Sequence, residues 1–150
     1  MAPEVEVLLV DDNASDVELT IRALRRQKLA SAIHVAGDGQ QALDFLFCRG
    51  PHADRSFGAP PKVIFLDLKM PKVDGIEVLR EIRRDERTRV IPVVILTSSK
   101  EERDLLEGYR LGVNAYIQKP VDFEAFCRVI EQSGVFWLVL NQPPPREAFP

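Results

Sequence analysis

Cysteine is scarce in this chain: of 150 residues only Cys48 and Cys127 carry a thiol, and they lie 79 positions apart. Two distant cysteines without a secretory leader do not make a disulfide framework, and reduced, half-buried thiols in a cytoplasmic protein are expected. Long apolar runs are missing as well. The longest, Val135 to Leu140, falls far short of the ~20 residues that cross a bilayer, and the N-terminus reaches Asp11 and Asp12 after only four apolar residues. Neither a membrane span nor a signal peptide is therefore expected. Charge of one sign is not in excess: 20 basic against 23 acidic residues leave a net −3, no field for phosphate backbones or anionic lipid. The two histidines, His34 and His52, do not combine with the cysteines into a zinc spacing. Glycine is also wanting where a dinucleotide loop needs it, because Gly37 and Gly39 are followed by Ala42 in place of a third glycine.

What is present suits one globular domain, with 45% hydrophobic and 29% charged residues. Short apolar runs at Val7 to Val10, Ala32 to Ala36, Val63 to Leu66, Val93 to Leu96 and Ala115 to Ile117 predict five strands. Amphipathic stretches separate them. Val17, Ile21 and Leu24 mark a first helix, entered through a capping box of Ser15 and Glu18. Ala42, Phe45 and Leu46 mark a second, Ile76, Leu79 and Ile82 a third, Leu105, Leu106 and Tyr109 a fourth. Phe123, Phe126 and Ile130 mark a fifth, with Asp122 as its cap. Strand and helix alternate, so the fold class is α/β: a doubly wound, five-stranded parallel sheet, order 2-1-3-4-5. Two segments remain loop-like, Arg49 to Lys62 and the Pro-rich tail from Asn141.

In such sheets chemistry sits beyond the carboxyl ends of the strands. The first strand ends in Asp11 and Asp12, the third in Asp67, the fourth in Thr97 and Ser98, and the fifth in Lys119 and Pro120. One acid there could be a helix cap, but three in one crevice repel one another unless a cation joins them. Magnesium suits the set, being a hard ion that keeps several waters while binding phosphate oxygens. Thr97 and Lys119 would offer a hydroxyl and a positive charge to a phosphoryl group, which leaves Asp67 as the carboxylate nucleophile that accepts it.

The motifs LLVDD ending at Asp12, FLDLKMPKVDG around Asp67, VILTS ending at Ser98 and AYIQKP ending at Pro120 occur in an order that resembles the receiver domain of two-component response regulators, the CheY-like fold. The resemblance spans residues 5–133 and leaves 134–150 as an apolar, then Pro-rich, extension. It implies that Asp12 and Asp67 ligate magnesium directly, with Asp11 acting mostly through water and the Lys69 backbone carbonyl as a further ligand. It implies that Asp67 takes its phosphoryl group from a phosphohistidine of a sensor histidine kinase, and that Thr97 and Lys119 bind the phosphoryl oxygens. The bond before Pro120 would be cis. On phosphorylation Thr97 would move and Tyr116 would turn inward, altering the surface of the fourth helix, fifth strand and fifth helix; Tyr116 read alone could equally be an amphipathic edge residue.

Lys69 departs from the pattern, since receivers often carry Asn there. Either Lys69 and Ser99 tune the lifetime of the acyl phosphate, or Lys69 is a solvated lysine with no kinetic role. The run Val135 to Leu140 has no obvious place in a five-helix receiver: it either prolongs the fifth helix and packs on its own sheet, or forms an exposed patch for a partner or a second copy. This FWL ending, with the Pro-rich insertion, resembles small stand-alone regulators paired with bacterial phytochromes. A homodimer through the fourth and fifth helices and this tail is expected. So is the lack of an output domain, the protein being a phosphoacceptor that signals by protein contacts and not an enzyme. An aspartyl phosphohydrolase is the first rival, disfavoured because its second Asp would stand at Lys69; a pseudo-receiver that only binds partners is the second.

Overall fold

The computed structural model describes residues 5–30 and 32–149. Five parallel strands, β1 (Val7–Val10), β2 (Ile33–Ala36), β3 (Val63–Leu66), β4 (Val93–Thr97) and β5 (Ala115–Gln118), pair in the order β2-β1-β3-β4-β5. Between and after them run α1 (Ala14–Arg26), α2 (Gly39–Leu46), α3 (Gly75–Arg84), α4 (Glu102–Arg110) and α5 (Phe123–Gly134). The expected topology is the one observed.

Alternation along the strands divides the core. Leu8, Val10, Ile64, Leu66 and Ile95 face α2 and α3, where they meet Phe45, Leu46, Leu79 and Ile82. Val7, Leu9, Val63, Phe65, Val94 and Leu96 face the other way, against Leu24, Phe126 and Ile130 of α1 and α5. β1 and β3 are buried on both sides, which is why they read as unbroken apolar runs. Each such side chain withdrawn from water stabilises the fold by ~1.5–3 kcal/mol.

Short polar side chains start the helices. Asp38, Asp74 and Asp122 accept from Gln41, Glu77 and Ala125 N–H groups at 2.8, 2.9 and 2.9 Å, so Asp122 caps as expected. α1 differs from expectation. Its cap is Asn13, whose Oδ1 accepts from Asp16 N at 3.0 Å, and Ser15 lies inside the first turn. An amide two residues upstream already satisfies the helix end, so no Ser15–Glu18 box is needed. The fourth helix is also built differently. Leu105, Leu106 and Tyr109 are 41, 50 and 57% exposed, and α4 approaches the sheet through Gly108, where a Cβ would stand 3.0 Å from Ile95 Cδ1.

Val135–Leu140 continues α5 as a π-helical segment. The run prolongs the fifth helix, as the first reading has it: Trp137 and Leu138 pack on the α1/α5 side of the core, while Phe136, Val139 and Leu140 stay exposed. The tail then crosses to the insertion before β3. Arg146 Nη1 donates to Gly58 O at 2.9 Å, and Phe149 packs on the α2/α3 side of the core. Cys48 and Cys127 are free thiols. His34 stacks on Phe45 at 4.4 Å between ring centroids, a packing role. Among the described residues no helix is long and apolar enough to cross a membrane.

Candidate functional site

Register brings the acidic residues together. Val10 lies opposite both Ala36 and Leu66, so Asp11 and Asp67, one residue further on, leave adjacent strands side by side. The ladder runs on past the strands: Asp67 N donates to Val10 O at 2.9 Å, Asp11 N to Ala36 O at 3.1 Å and Lys119 N to Thr97 O at 2.7 Å. Backbone pairing thus aims the side chains. Behind Asp67 the chain turns back closely enough that a Cβ on Gly75 would meet Asp67 O at 2.2 Å, and Gly75 N donates to Leu68 O at 3.0 Å. Only glycine lets α3 begin there.

Lys119 is the hub. Its Nζ donates to Asp11 Oδ2 at 2.7 Å, Asp16 Oδ2 at 2.9 Å and Asp67 Oδ2 at 3.3 Å, and its side chain is 6% exposed. Burial works against the ammonium, but the hydrogen bonds to Asp11 and Asp16 and the charges of Asp11 and Asp67 outweigh it and hold the pKa above that of an ordinary lysine. Burial likewise pushes the Asp11 carboxyl up, more than the Lys119 and Asn13 hydrogen bonds pull it down. Lys119 is charged and does not neutralise its surroundings: with Asp12, four carboxylates face one ammonium.

That imbalance suits a cation. Carboxylate oxygens of Asp11, Asp12 and Asp67 lie within 4.8 Å of one another, with Asp12 on the exposed side. An octahedral shell with 2.0–2.1 Å bonds is ~4 Å across, a scale comparable with the cluster, and the three acids differ in how far they are committed elsewhere. Asp11 is the one already engaged, since Oδ1 accepts from Asn13 N at 2.9 Å and Oδ2 from Lys119. Asp67 is held loosely, its Oδ1 accepting from Lys69 N at 3.4 Å and its Oδ2 from Lys119 at 3.3 Å.

Thr97 ends β4 fully buried, its Oγ1 accepting from Ser99 N at 3.3 Å. Tyr116, half-buried on β5, sends its hydroxyl to Ser99 O at 3.4 Å. The Lys119–Pro120 bond is trans, against expectation. Trans is the favoured isomer even before proline, by ~0.5–1 kcal/mol, and Lys119 reaches its three carboxylates in it.

Two residues with roles here were not anticipated. Asp16, at the third position of α1, looks in sequence like a carboxylate placed for the helix dipole. Asp104 on α4 accepts from Ser99 Oγ at 2.6 Å and pairs with Lys69 Nζ at 3.1 Å. Burial pushes the Asp104 carboxyl up, yet the Ser99 and Lys69 hydrogen bonds carry it below the usual range.

Residues 7–131 match the response regulator receiver domain. The chain belongs to that family. Its receiver chemistry is the phosphorylation-based signalling of two-component systems, and the acidic cluster is of the kind that holds a divalent cation in this family. Among curated relatives, the probable methanogenesis regulatory protein FilR2 of Methanothrix harundinacea is 42% identical over 138 residues, covering 92% of this chain and 86% of its own. Two solved structures, the Mn(2+)-bound form of response regulator Rcp1 and the phosphorylated cyanobacterial phytochrome response regulator RcpA, superpose with TM-scores of 0.87 and 0.88. Both are 34% identical and cover 95% of this chain and 100% of theirs. The bacteriophytochrome response regulator AtBRR is 50% identical at a TM-score of 0.71, covering 93% of this receiver and 100% of its own chain.

Proposed function

We propose that this receiver, formed by residues 5–133, takes a phosphoryl group on Asp67 from a phosphohistidine of a sensor histidine kinase, and that the kinase is a bacterial phytochrome. The observation that carries the acceptor assignment is the convergence of Asp11, Asp12 and Asp67 on adjacent strand ends around the buried Lys119 ammonium. Likeness to RcpA and AtBRR supports the kinase class. An Asp67 carboxylate oxygen attacks phosphorus, the P–N bond breaks, and the imidazole nitrogen keeps the electron pair, giving an acyl phosphate. Asp12, Asp67 and the Lys69 carbonyl would hold magnesium, with Asp11 supporting it from beside them. Bound magnesium supplies positive charge against the phosphoryl oxygens. Lys119 and the Thr97 hydroxyl bind those oxygens, Lys69 and Ser99 set how long the acyl phosphate lasts, and Tyr116 responds to the movement of Thr97.

The output is a changed α4–β5–α5 surface read by a downstream protein. Exposed Leu105, Leu106 and Tyr109 on α4, with Phe136, Val139 and Leu140 in the 134–150 extension, favour a homodimer through that face. A phosphohydrolase is the weaker reading because Lys69, tied to Asp104, stands where such an enzyme needs a second catalytic Asp. Incubation with acetyl phosphate and magnesium decides the matter. Stoichiometric labelling lost in Asp67→Asn is the expected result; steady turnover would mean a hydrolase, and no labelling a pseudo-receiver.

A further inference from the structure

Two loops border Asp67, the one after β3 that begins with Leu68 and Lys69 and the one after β4 that carries Ser99. One side chain ties both. Asp104, in the first turn of α4, takes the Ser99 hydroxyl on Oδ2 at 2.6 Å and the Lys69 ammonium on the same oxygen at 3.1 Å. Its side chain is only 13% exposed, whereas that of Lys69 is 50% exposed. Glu101 adds a longer contact to Lys69 at 3.5 Å and is itself occupied by Arg103 at 2.8 Å. The Ser99 carbonyl in turn receives the Tyr116 hydroxyl.

Lys69 stands two residues from Asp67, and its own N–H points at Asp67 Oδ1. A phosphoryl group on Asp67 adds negative charge two residues from a lysine whose ammonium a carboxylate on α4 now holds. We propose that Asp104 is a positioning residue for the phosphorylation site: it holds Lys69 on α4 in the unphosphorylated protein, and Lys69 exchanges Asp104 for the phosphoryl oxygens when Asp67 is modified. Asp104 bonds to the Ser99 hydroxyl and the Lys69 side chain and to none of the carboxylates of the cation cluster, so it acts through the Lys69 ammonium. The exchange also loosens the first turn of α4, since Asp104 then keeps Ser99 alone. Phosphoryl arrival is thereby coupled to the helix whose outer face carries Leu105, Leu106 and Tyr109.

The proposal rests on Asp67 being the acceptor, and a double-mutant cycle separates the two claims. Beryllofluoride with magnesium serves as the phosphoryl probe, and its affinity is measured by calorimetry for the full chain as wild type, Asp104→Asn, Lys69→Met and the pair. Asn at 104 keeps an acceptor for Ser99 and removes only the charge that holds Lys69. Asp104→Asn is expected to bind the probe about threefold more tightly, the size of a partly exposed ion pair released from competition, and to change nothing in the Lys69→Met background. An equal change in both backgrounds, or none in either, overturns the exchange. Should Asp104→Asn fail to fold, Asp104→Glu, which keeps the charge, must bind the probe as wild type does, and tighter binding would overturn the proposal. No binding by wild type would overturn the acceptor assignment and the exchange with it.

Discussion

Replacing Lys119 by methionine keeps the aliphatic stem and removes the ammonium that Asp11, Asp16 and Asp67 surround. The Asp11 and Asp67 side chains are 3 and 8% exposed, so both lose a partner that water cannot replace, while Asp16, at 25%, rehydrates. Breaking a buried pair from one side costs ~3–5 kcal/mol, and partial rehydration of Asp16 puts the expectation at the lower end, ~3 kcal/mol in chelator at pH 7.5. For a chain of this length that is a drop of roughly 6–12 °C in Tm. The loss is pH-dependent. Burial already raises the Asp11 carboxyl above its ordinary value, and without Lys119 the Asn13 N–H is left to oppose that rise. A group whose folded pKa is raised contributes stability that is present at low pH and lost as pH rises through that pKa, so the deficit of the variant shrinks as pH falls from 7.5 towards 5. Magnesium should restore stability to Lys119→Met, since its ligands are intact, by ~2.7 kcal/mol at a hundred times its Kd. Urea titrations followed by circular dichroism, with and without magnesium, give all three numbers. A deficit below ~1 kcal/mol at pH 7.5, or one that stays constant down to pH 5, would refute the reading of Lys119 as the ion that makes this cluster tolerable.

Gly75→Ala is expected to destabilise by at least ~1–3 kcal/mol and to slow labelling by acetyl phosphate, because the new Cβ meets the Asp67 carbonyl at 2.2 Å and backbone cannot step aside. His34 is held below its ordinary pKa by burial, then by His52 and Arg55, so the stability it contributes is present above pH ~6.5 and lost as pH falls. His34→Phe should therefore lose less of its urea midpoint than wild type between pH 7.5 and 5. Phe136→Asp is expected to leave Tm within about 2 °C, as the ring is half exposed, and to convert a dimer into a monomer in sedimentation at micromolar concentration. Lys69→Asn should change the half-life of the phosphorylated protein, followed by loss of label after the donor is removed; equal half-lives would remove Lys69 from the kinetics.

The strand ends were legible because parallel topology turns a local signal into a spatial one. An apolar run closed by a polar residue places that residue at a known edge, and four of the five runs place Asp11, Asp67, Thr97 and Lys119 along one crevice without any knowledge of packing. Asp16 and Asp104 were illegible for the opposite reason. Each sits in the first turn of a helix, where an acid has a sufficient local explanation, and its true partner is set by tertiary structure: Lys119 lies 103 residues from Asp16. α4 shows the same limit, since an apolar stripe at helical spacing does not say which way it faces, and here the glycine between the large side chains makes the contact. The cap of α1 was misplaced by two residues because Asn13 and Ser15 are both good caps and only one sits where the backbone leaves the extended region.

The position of the tail follows from how the two edges of the sheet are used. The carboxyl edge carries the acids and lysine; at the opposite edge Lys62 N donates to Glu6 O at 2.8 Å, Arg146 binds the tail to the insertion before β3, and Phe149 packs on the α2/α3 side of the core. α5 joins them. It starts at Phe123, four residues after Lys119, packs along α1, which carries Asp16, and runs without a break into Val135–Leu140. A new anion at Asp67 competes for the ammonium that now binds Asp11 and Asp16, and Asp16 lies on the helix against which α5 rests. A resettling of that ion pair is therefore expected to reach α5, whose far end presents Phe136, Val139 and Leu140, and Phe136→Asp with Asp16→Asn in a double-mutant cycle for beryllofluoride affinity would give additive effects if the two ends were uncoupled.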